Sequence, residues 1–180
     1  MSDSSISIVC KRSTYPNNKE KAQETLAWLV SKDIVEPTLT DCVLGSEAGY
    51  MISKGASAVV EEPEYLRFGP GMINGLMVVT DRTIFDTGQN GLDELICPNC
   101  NSDISQENWD LDPWVSGETD DLTCPSCGKA SEIHNYIFKP EWGFSNLGFE
   151  FCNWPPFTVE FIEDLKRLLD CDVNIVFSHL

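Results

Sequence analysis

Residues 158–177 carry two hydrophobic patterns in succession: Thr158-Val-Glu-Phe-Ile-Glu-Asp-Leu-Lys-Arg-Leu-Leu-Asp-Cys-Asp-Val-Asn-Ile-Val-Phe177. The apolar residues of the first part recur at helical spacing and form one face, and they are Phe161, Ile162, Leu165, Leu168 and Leu169. Thr158 stands where a helix N-cap is expected, and residues 170–172 end the helix. The run from Val173 to Phe177 is typical of a strand. This stretch therefore predicts a helix followed by a strand.

The same two patterns appear toward the N-terminus. Residues 5–11 alternate in hydrophobicity and are rich in β-formers, which predicts a strand. After Tyr15-Pro16, Asn17 is placed to cap a helix, with Glu20 as its capping-box partner, and the helix is expected to end within residues 33–37. Glycines interrupt residues 38–75, so only short elements and turns are expected there.

Further strands are expected at 76–80, 82–85, 133–138 and 144–154. The order of strand, helix, several strands, helix and strand predicts an α+β fold, mainly an antiparallel sheet packed with two helices. At 180 residues, the chain is expected to form a single α+β domain over residues 1–180. Residues 92–132, named here the cysteine segment, are expected to be an insertion between two strands.

The cysteine segment contains two C-x-x-C pairs, Cys97-Pro-Asn-Cys100 and Cys124-Pro-Ser-Cys127. Two intervening residues allow both sulfurs of one tight turn to face a single ion, and four thiolates satisfy tetrahedral Zn²⁺ with no open position. Asn101 and Gly128 follow the second cysteine of each pair, and these residue types tolerate left-handed backbone geometry. The pattern predicts one structural zinc per chain. Iron is an alternative ion for four thiolates, whereas a redox pair is disfavoured because two pairs are present.

The cysteine segment resembles the zinc-ribbon family, whose knuckles carry Cys-Pro-x-Cys-Gly. The run Cys124-Pro-Ser-Cys-Gly128 matches that motif in full, and the first knuckle departs from it by carrying Asn101. The 23 residues between Cys100 and Cys124 imply a hairpin longer than the usual spacing of about 15–20 residues. The resemblance implies an inserted zinc ribbon at 92–132 and leaves the remainder of the chain unassigned.

Charge bears on the class of partner. The chain has 12 basic and 29 acidic side chains and a formal net charge of −17, which opposes binding to nucleic acid or to an anionic membrane. No apolar run approaches the roughly 20 residues that span a bilayer. The first residues lack the features of a signal peptide, so a cytoplasmic location is expected. In that reducing compartment, Cys10, Cys42, Cys152 and Cys171 are expected to be buried thiols.

Much of the negative charge lies between Arg82 and Lys129, where no Lys or Arg occurs. Residues 83–128, named here the acidic segment, hold ten carboxylates: Asp86, Asp93, Glu94, Asp103, Glu107, Asp110, Asp112, Glu118, Asp120 and Asp121. Zinc ribbons that bind nucleic acid carry basic groups on this hairpin, so the charge favours a basic protein partner instead. The candidate partner-binding residues are Trp109, Asp110, Asp112, Trp114, Asp120 and Asp121. The alternative is that both indoles fold back over the core of the segment.

Three functions are compatible with these patterns. The favoured one is a non-enzymatic interaction protein, in its specific form an immunity- or antitoxin-type inhibitor of a basic protein. The second is an enzyme of unrecognised family in which the cysteine segment serves as a scaffold, although no residue carries a catalytic signature. His134 and His179, for example, lack the context of a Cys–His nucleophile. The third is a nucleic-acid-associated regulator. The aromatic run 142–154 is expected to supply sheet core, and an apolar ligand pocket there is an open alternative.

Overall fold

The structure of the protein, a computed structural model, describes residues 3–180. In chain order its elements are β1 (Ser4–Cys10), α1 (Asn18–Ser31), β2 (Val35–Thr40), β3 (Gly49–Ile52), β4 (Leu76–Val79), β5 (Thr83–Phe85), β6 (Glu94–Ile96), α2 (Asp112–Ser116), β7 (Asp121–Thr123), β8 (Ala130–Glu132), β9 (Ile137–Lys139), β10 (Gly143–Ser145), β11 (Gly148–Cys152), α3 (Val159–Leu169) and β12 (Val173–His179). Short 3-10 turns lie at Lys54–Ala58, Pro63–Tyr65 and Ile133–Asn135.

Six of the strands form one antiparallel sheet in the order β12-β1-β11-β4-β3-β2. The N-terminal strand β1 lies between β11 and the C-terminal strand β12, and its pairing with β12 runs from Ser4 opposite His179 to Cys10 opposite Val173. The predicted α+β class, with a mainly antiparallel sheet and two main helices, is confirmed.

Helices α1 and α3 cover one face of the sheet. Alternate residues of β1, Ile6 and Ile8, point to this face and join the main hydrophobic core with Leu29 of α1 and Leu165 of α3. The period-2 pattern of β1 and the helical period of α3 therefore meet in a single core. The aromatic residues predicted to supply sheet core do so in part, since Phe149 and Phe151 are buried in the same cluster.

The two helix N-termini differ from each other. Thr158 caps α3 as predicted, and its hydroxyl accepts a hydrogen bond from the Phe161 N–H at 3.2 Å. Asn17 occupies the predicted cap position of α1, but it has φ of 53° and makes no side-chain cap bond. The prediction of a capping box with Glu20 was therefore wrong. The neighbouring Asn18 instead donates from Nδ2 to the carbonyl oxygens of Thr80 and Asn146, which ties the start of α1 to the sheet region.

On the second face of the sheet, the β5–β10 pair packs closely on β1 and β11, and Cys42 and Val43 pack beside Cys152 of β11. A Cβ at Gly148 would lie 2.5 Å from the Phe85 ring, so only glycine fits beneath that ring. Ser7 and Glu150 are paired across β1 and β11 on this face. Burial raises the pKa of the Glu150 carboxyl, a hydrogen bond with Ser5 partly opposes this, and the charge of Asp86 adds to the increase.

Two predicted strands differ from the structure. The run 133–138 begins as a 3-10 turn at Ile133–Asn135, which the Tyr136 N–H closes on the Ile133 carbonyl and the Glu132 carboxylate caps, and a strand starts only at Ile137. The run 144–154 is two strands, β10 and β11. They separate at Asn146, whose Oδ1 accepts a hydrogen bond from the Tyr15 N–H at 2.7 Å. Within residues 3–180, no helix combines the length and apolar character needed to cross a membrane.

Candidate metal centre

The four cysteines of the two C-x-x-C pairs converge on one point. Cys97 and Cys100 follow β6, and Cys124 and Cys127 lie in the turn between β7 and β8. Their sulfurs all lie within 4.8 Å of one another. The Sγ atoms of Cys97 and Cys127 are 3.9 Å apart, and those of Cys100 and Cys124 are 3.8 Å apart. A regular tetrahedron with metal–sulfur bonds of about 2.3 Å has sulfur–sulfur edges of about 3.8 Å. The donor set therefore fits one tetrahedral metal ion.

Both turns have the backbone geometry that the sequence predicted. Asn101 and Gly128 adopt positive φ values of 59° and 75°. The N–H groups of these two residues close their turns onto the carbonyls of Cys97 and Cys124 at 3.0 and 2.8 Å. Within the first turn, the Asn99 N–H also points at the Cys97 sulfur, at 3.4 Å. Backbone donors thus soften the charge of the thiolates before any metal contributes.

The thiols of the cluster differ in acidity. Hydrogen bonds from the hydroxyl and backbone N–H of Ser102 lower the pKa of Cys100 to about 6, so its thiolate is present at neutral pH. The Lys129 N–H lowers the pKa of Cys127, but burial and the neighbouring thiols outweigh it and raise that pKa to about 11. A cation among the four sulfurs removes the repulsion between thiolates, so metal binding to this site must release protons.

A second hydrophobic cluster surrounds the metal centre. Cys97 and Cys124 are fully buried among Leu95, Ile104 and Leu122, whereas Cys100 and Cys127 are half-buried. Tyr136 closes the site from one side, and its hydroxyl donates to the Leu122 carbonyl at 2.7 Å. Strand β9, which lies beyond residue 132, pairs with β6. Because four protein sulfurs fill a tetrahedron, no coordination position is open to a substrate.

The two candidate tryptophans are not equivalent. Trp114 is only 1% exposed, so it cannot form part of an exposed partner-binding patch, and this expectation is corrected. Its indole folds inward, donates from Nε1 to the Ser13 hydroxyl at 2.9 Å and meets the Phe144 ring edge-on at 5.4 Å. Trp109 is half-buried, with its ring 6.1 Å from that of Trp142. The indoles therefore pack mainly against the core of the segment.

The four candidate carboxylates also separate into two groups. Asp110 and Asp112 are exposed, and the Asp110 carboxylate accepts a hydrogen bond from the Asp112 N–H at 2.9 Å. Asp121 is half-buried on β7, opposite Glu132 of β8. The Asp120 carboxylate forms an ion pair with Arg82 at 2.7 Å, so it is already engaged within the chain.

Arg82 is an organising residue that the sequence interpretation missed. Its guanidinium donates to the Trp114 carbonyl, to the Thr119 carbonyl at 2.9 Å and to the Asp120 carboxylate, and it lies 4.1 Å above the Trp114 ring. It thereby holds α2 and the following turn against the body of the protein. The one available signal was its position as the last basic residue before a long acidic run.

The remaining cysteines lie outside the metal centre. Cys10, Cys42 and Cys152 are buried as expected, whereas Cys171 is half-buried. Among residues 3–180, no other group of three or more metal-ligating side chains comes together.

Comparison with known proteins supplies no family for this chain. No protein-family model matches it, and neither the curated proteins nor the solved structures contain a match. Its function is therefore inferred from its own residues.

Proposed function

We propose that this is a non-enzymatic interaction protein in which Zn²⁺, held by the four cysteines, braces an acidic segment that binds a basic surface of another protein. The observation that carries the proposal is the charge of residues 83–128, which hold ten carboxylates and no basic side chain. Surface charge of one sign guides the encounter with a partner of opposite charge and disfavours other partners.

Exposure supports this proposal. Two of the ten carboxylates are paired within the chain, Glu94 with Lys139 at 2.9 Å and Asp120 with Arg82. Seven others are exposed and form no ion pair within residues 3–180, and they are Asp86, Asp93, Asp103, Glu107, Asp110, Asp112 and Glu118. An exposed array of unpaired carboxylates keeps its charge available to a partner.

The metal has a mechanical role in this proposal. Strands β6, β7, β8 and β9 have three residues each, and two-stranded pairs of this size are marginal in water without further support. A zinc-ribbon arrangement compensates, because the ion joins the β6 turn to the β7–β8 turn. Zinc is proposed over iron because it is the usual ion of closed four-thiolate structural sites.

A specific form of the proposal is an inhibitor of the immunity or antitoxin type. Such a protein has to reach a basic toxin surface quickly and cover it. Opposite charge raises association rates toward the diffusion limit and makes them dependent on salt. The cytoplasmic location expected from the sequence is part of the same proposal.

The experiment compares two charge variants of equal net charge. Asp110→Asn/Asp112→Asn/Glu118→Gln neutralises three exposed carboxylates of the acidic segment. Glu36→Gln/Asp41→Asn/Glu47→Gln neutralises three exposed carboxylates on and beyond β2, and serves as the control. Each chain is used as bait in native lysate, with quantitative mass spectrometry of the proteins recovered. The proposal predicts a basic partner in stoichiometric amount with wild type and the control, and its depletion with the first variant.

A second arm tests the specific inhibitor hypothesis. Cells expressing the product of an adjacent gene are scored for survival with wild type, with the acidic-segment variant and with the control. Protection by wild type and the control alone supports an immunity role. Absence of any stoichiometric partner, together with absence of protection, removes the proposal. Equal loss of the partner protein with both variants would mean that the overall charge of the chain, and not the acidic segment, governs binding.

A further inference from the structure

A cavity of about 310 Å³ lies where the chain leaves the metal centre and approaches the end of the main sheet. The residues from 133 to 138 and Phe144 form much of its wall, and Lys11, Glu141, Trp142 and Asn174 complete it. Its volume is at the lower end of the range of about 300–1,000 Å³ found for small-molecule sites. The cavity holds none of the metal ligands and none of the candidate partner-binding carboxylates.

His134, on this wall, is held in one orientation by Glu132. The two oxygens of that carboxylate accept from the His134 backbone N–H and contact ring Nδ1, each at 2.8 Å. The Ser13 hydroxyl also donates to Glu132, at 2.9 Å. With Nδ1 donating its hydrogen to the carboxylate, the lone pair of the neutral ring lies on Nε2. That nitrogen is buried and has no hydrogen-bond partner.

Asn174 presents a second acceptor of the same kind. Its Nδ2 donates to the Glu141 carboxylate, which leaves Oδ1 as the acceptor end of the amide. This oxygen is also buried and unpartnered, in a residue that is 7% exposed. Among the described residues, four buried side-chain polar atoms lack a partner, and two of them belong to this one cavity wall. A buried acceptor without a donor is costly, so a donor that reached both would be bound favourably.

The rest of the wall suits a flat cation. Phe138 and Trp142, which both line the cavity, stack on each other with ring centroids 5.6 Å apart and planes at 20°, and the outer face of such a stack attracts planar cations. Glu141 and Lys11 are both exposed at the rim. The carboxylates of Glu141 and of Glu132, which lies behind His134, outnumber the single cation of Lys11. Together with the net charge of −17 on the whole chain, this balance favours a positively charged ligand.

We propose that this cavity binds a guanidinium group, whose N–H donors pair with His134 Nε2 and Asn174 Oδ1 while its charge faces Glu141 and the aromatic wall. Both acceptors are shielded from solvent in the structure, so entry requires movement at the rim, where the exposed Glu141 carboxylate exchanges its hydrogen bond from Asn174 for one from the guanidinium. The group comes either from a free small molecule or from an arginine side chain of another protein. The proposal is independent of the role of the acidic segment.

The test is titration calorimetry on the full zinc-loaded chain with Nα-acetyl-arginine methylamide. The corresponding citrulline compound, which has the same shape without the charge, is the matched ligand. We expect saturable binding of the arginine compound and binding of the citrulline compound that is weaker by about tenfold or more.

Substitutions that change one charge at the rim of the cavity report the sign of the ligand's charge. Lys11→Gln should tighten binding and Glu141→Gln should weaken it, each by about threefold. Lys54→Gln and Glu47→Gln make the same charge changes at exposed positions that do not line the cavity, and should leave the affinity unchanged. Asn174→Leu removes the buried acceptor and should weaken binding about tenfold or more, with circular dichroism confirming that the variant is folded.

Three results would overturn the proposal. They are no saturable binding of the arginine compound at millimolar concentration, opposite signs for the Lys11 and Glu141 variants, and undiminished binding by folded Asn174→Leu. Methylguanidinium separates the two sources within the proposal. Equal affinity for methylguanidinium supports a free small ligand, and tighter binding of the capped arginine supports an arginine side chain. Loss of the acidic-segment partner in the pulldown would leave all of these measurements unchanged.

Discussion

Each of the four cysteines of the metal centre is needed as a ligand, because the cluster contains no other side chain that could take its place. Cys124 is fully buried, and its sulfur lies 3.8 Å from that of Cys100. A serine hydroxyl at this position is a poor ligand for zinc, and the site has no fifth donor. We expect Cys124→Ser to lower zinc from about one ion per chain to below about 0.2, measured by plasma mass spectrometry of freshly purified protein. Cys171→Ser, a half-buried cysteine outside the cluster, should retain full metal. Full zinc content in Cys124→Ser would contradict the assigned ligand set.

Glu150 is a second residue with a predictable effect, because the fold raises the pKa of its carboxyl through burial. The folded state therefore holds this proton more tightly than the unfolded chain does. The resulting stability is present below the unfolded pKa and is lost as pH rises through the folded pKa. Above that pH, the buried and ionised Glu150 carboxylate destabilises the fold, and Glu150→Gln removes its charge. We expect the variant to be more stable than wild type at pH 7.5 and therefore to have the higher Tm.

Thermal unfolding followed by circular dichroism between pH 4 and pH 8 provides that measurement. The two proteins should be equally stable at the acid end and diverge as pH increases. Glu47→Gln, at an exposed position, is the control and should shift Tm by less than about 1 °C. A wild type more stable than Glu150→Gln at pH 7.5 would show that the ionised carboxylate is stabilising.

At the level of elements, Arg82 joins the acidic segment to the body. Its guanidinium contacts Trp114, Thr119 and Asp120, and it is 17% exposed. Lysine keeps the charge but loses the planar fork that serves several acceptors at once. We expect Arg82→Lys to weaken the docking of residues 112–121 by about 2 kcal/mol, which corresponds to about 30-fold faster amide exchange there. Hydrogen exchange with mass spectrometry checks this, and Arg167→Lys, at an exposed position, should change nothing. Unchanged exchange in Arg82→Lys would contradict the assigned role.

Metal removal should unfold the strands around the metal centre and leave the helix-covered sheet folded. The metal centre and the helix-covered sheet have separate hydrophobic cores, and the strands around the metal have three residues each. We expect chelation to abolish exchange protection in β6–β9 while β1, β11 and β12 keep theirs within about tenfold. Added zinc should restore the lost protection. Simultaneous loss in β1 and β12 would show that the chain unfolds as one unit.

The elements predicted correctly from sequence are those whose cause is local. Helix α3 carries its own cap and apolar stripe, and each C-x-x-C turn carries its own left-handed residue, so a short window suffices for both. The misplaced features depend on distant partners. The run 144–154 divides because Asn146 bonds Tyr15, 131 residues away in sequence. Trp114 is buried because it meets Ser13, 101 residues away. Tertiary contacts of this kind override local patterns.

The fold of the whole molecule distributes its positive charge in a way that the sequence did not reveal. Five of the 12 basic side chains form ion pairs with carboxylates of the same chain, and these are Lys21, Arg82, Lys139, Lys166 and Arg167. The pair Lys166-Arg167, which is adjacent in sequence, is thereby neutralised by Glu163 and Asp164. Of the seven basic residues that form no such pair within residues 3–180, only Lys11 and Arg12 are adjacent in sequence, so this set contains no long basic run of the kind that follows a phosphate backbone.

This distribution predicts that the protein does not bind nucleic acid even when salt is low. Affinity for DNA or RNA comes largely from release of counterions by clustered Lys and Arg, and it rises steeply as salt falls. We expect fluorescence anisotropy with labelled single- and double-stranded oligonucleotides to show no saturable binding at about 20 mM salt and protein concentrations up to about 50 μM. The acidic-segment variant Asp110→Asn/Asp112→Asn/Glu118→Gln separates general repulsion from a hidden basic face. If wild type fails to bind and the variant also fails, no such face exists. Binding that appears in either protein and strengthens as salt is lowered would instead favour a nucleic-acid-associated role, because only a concealed cluster of cations could overcome a net charge of −17.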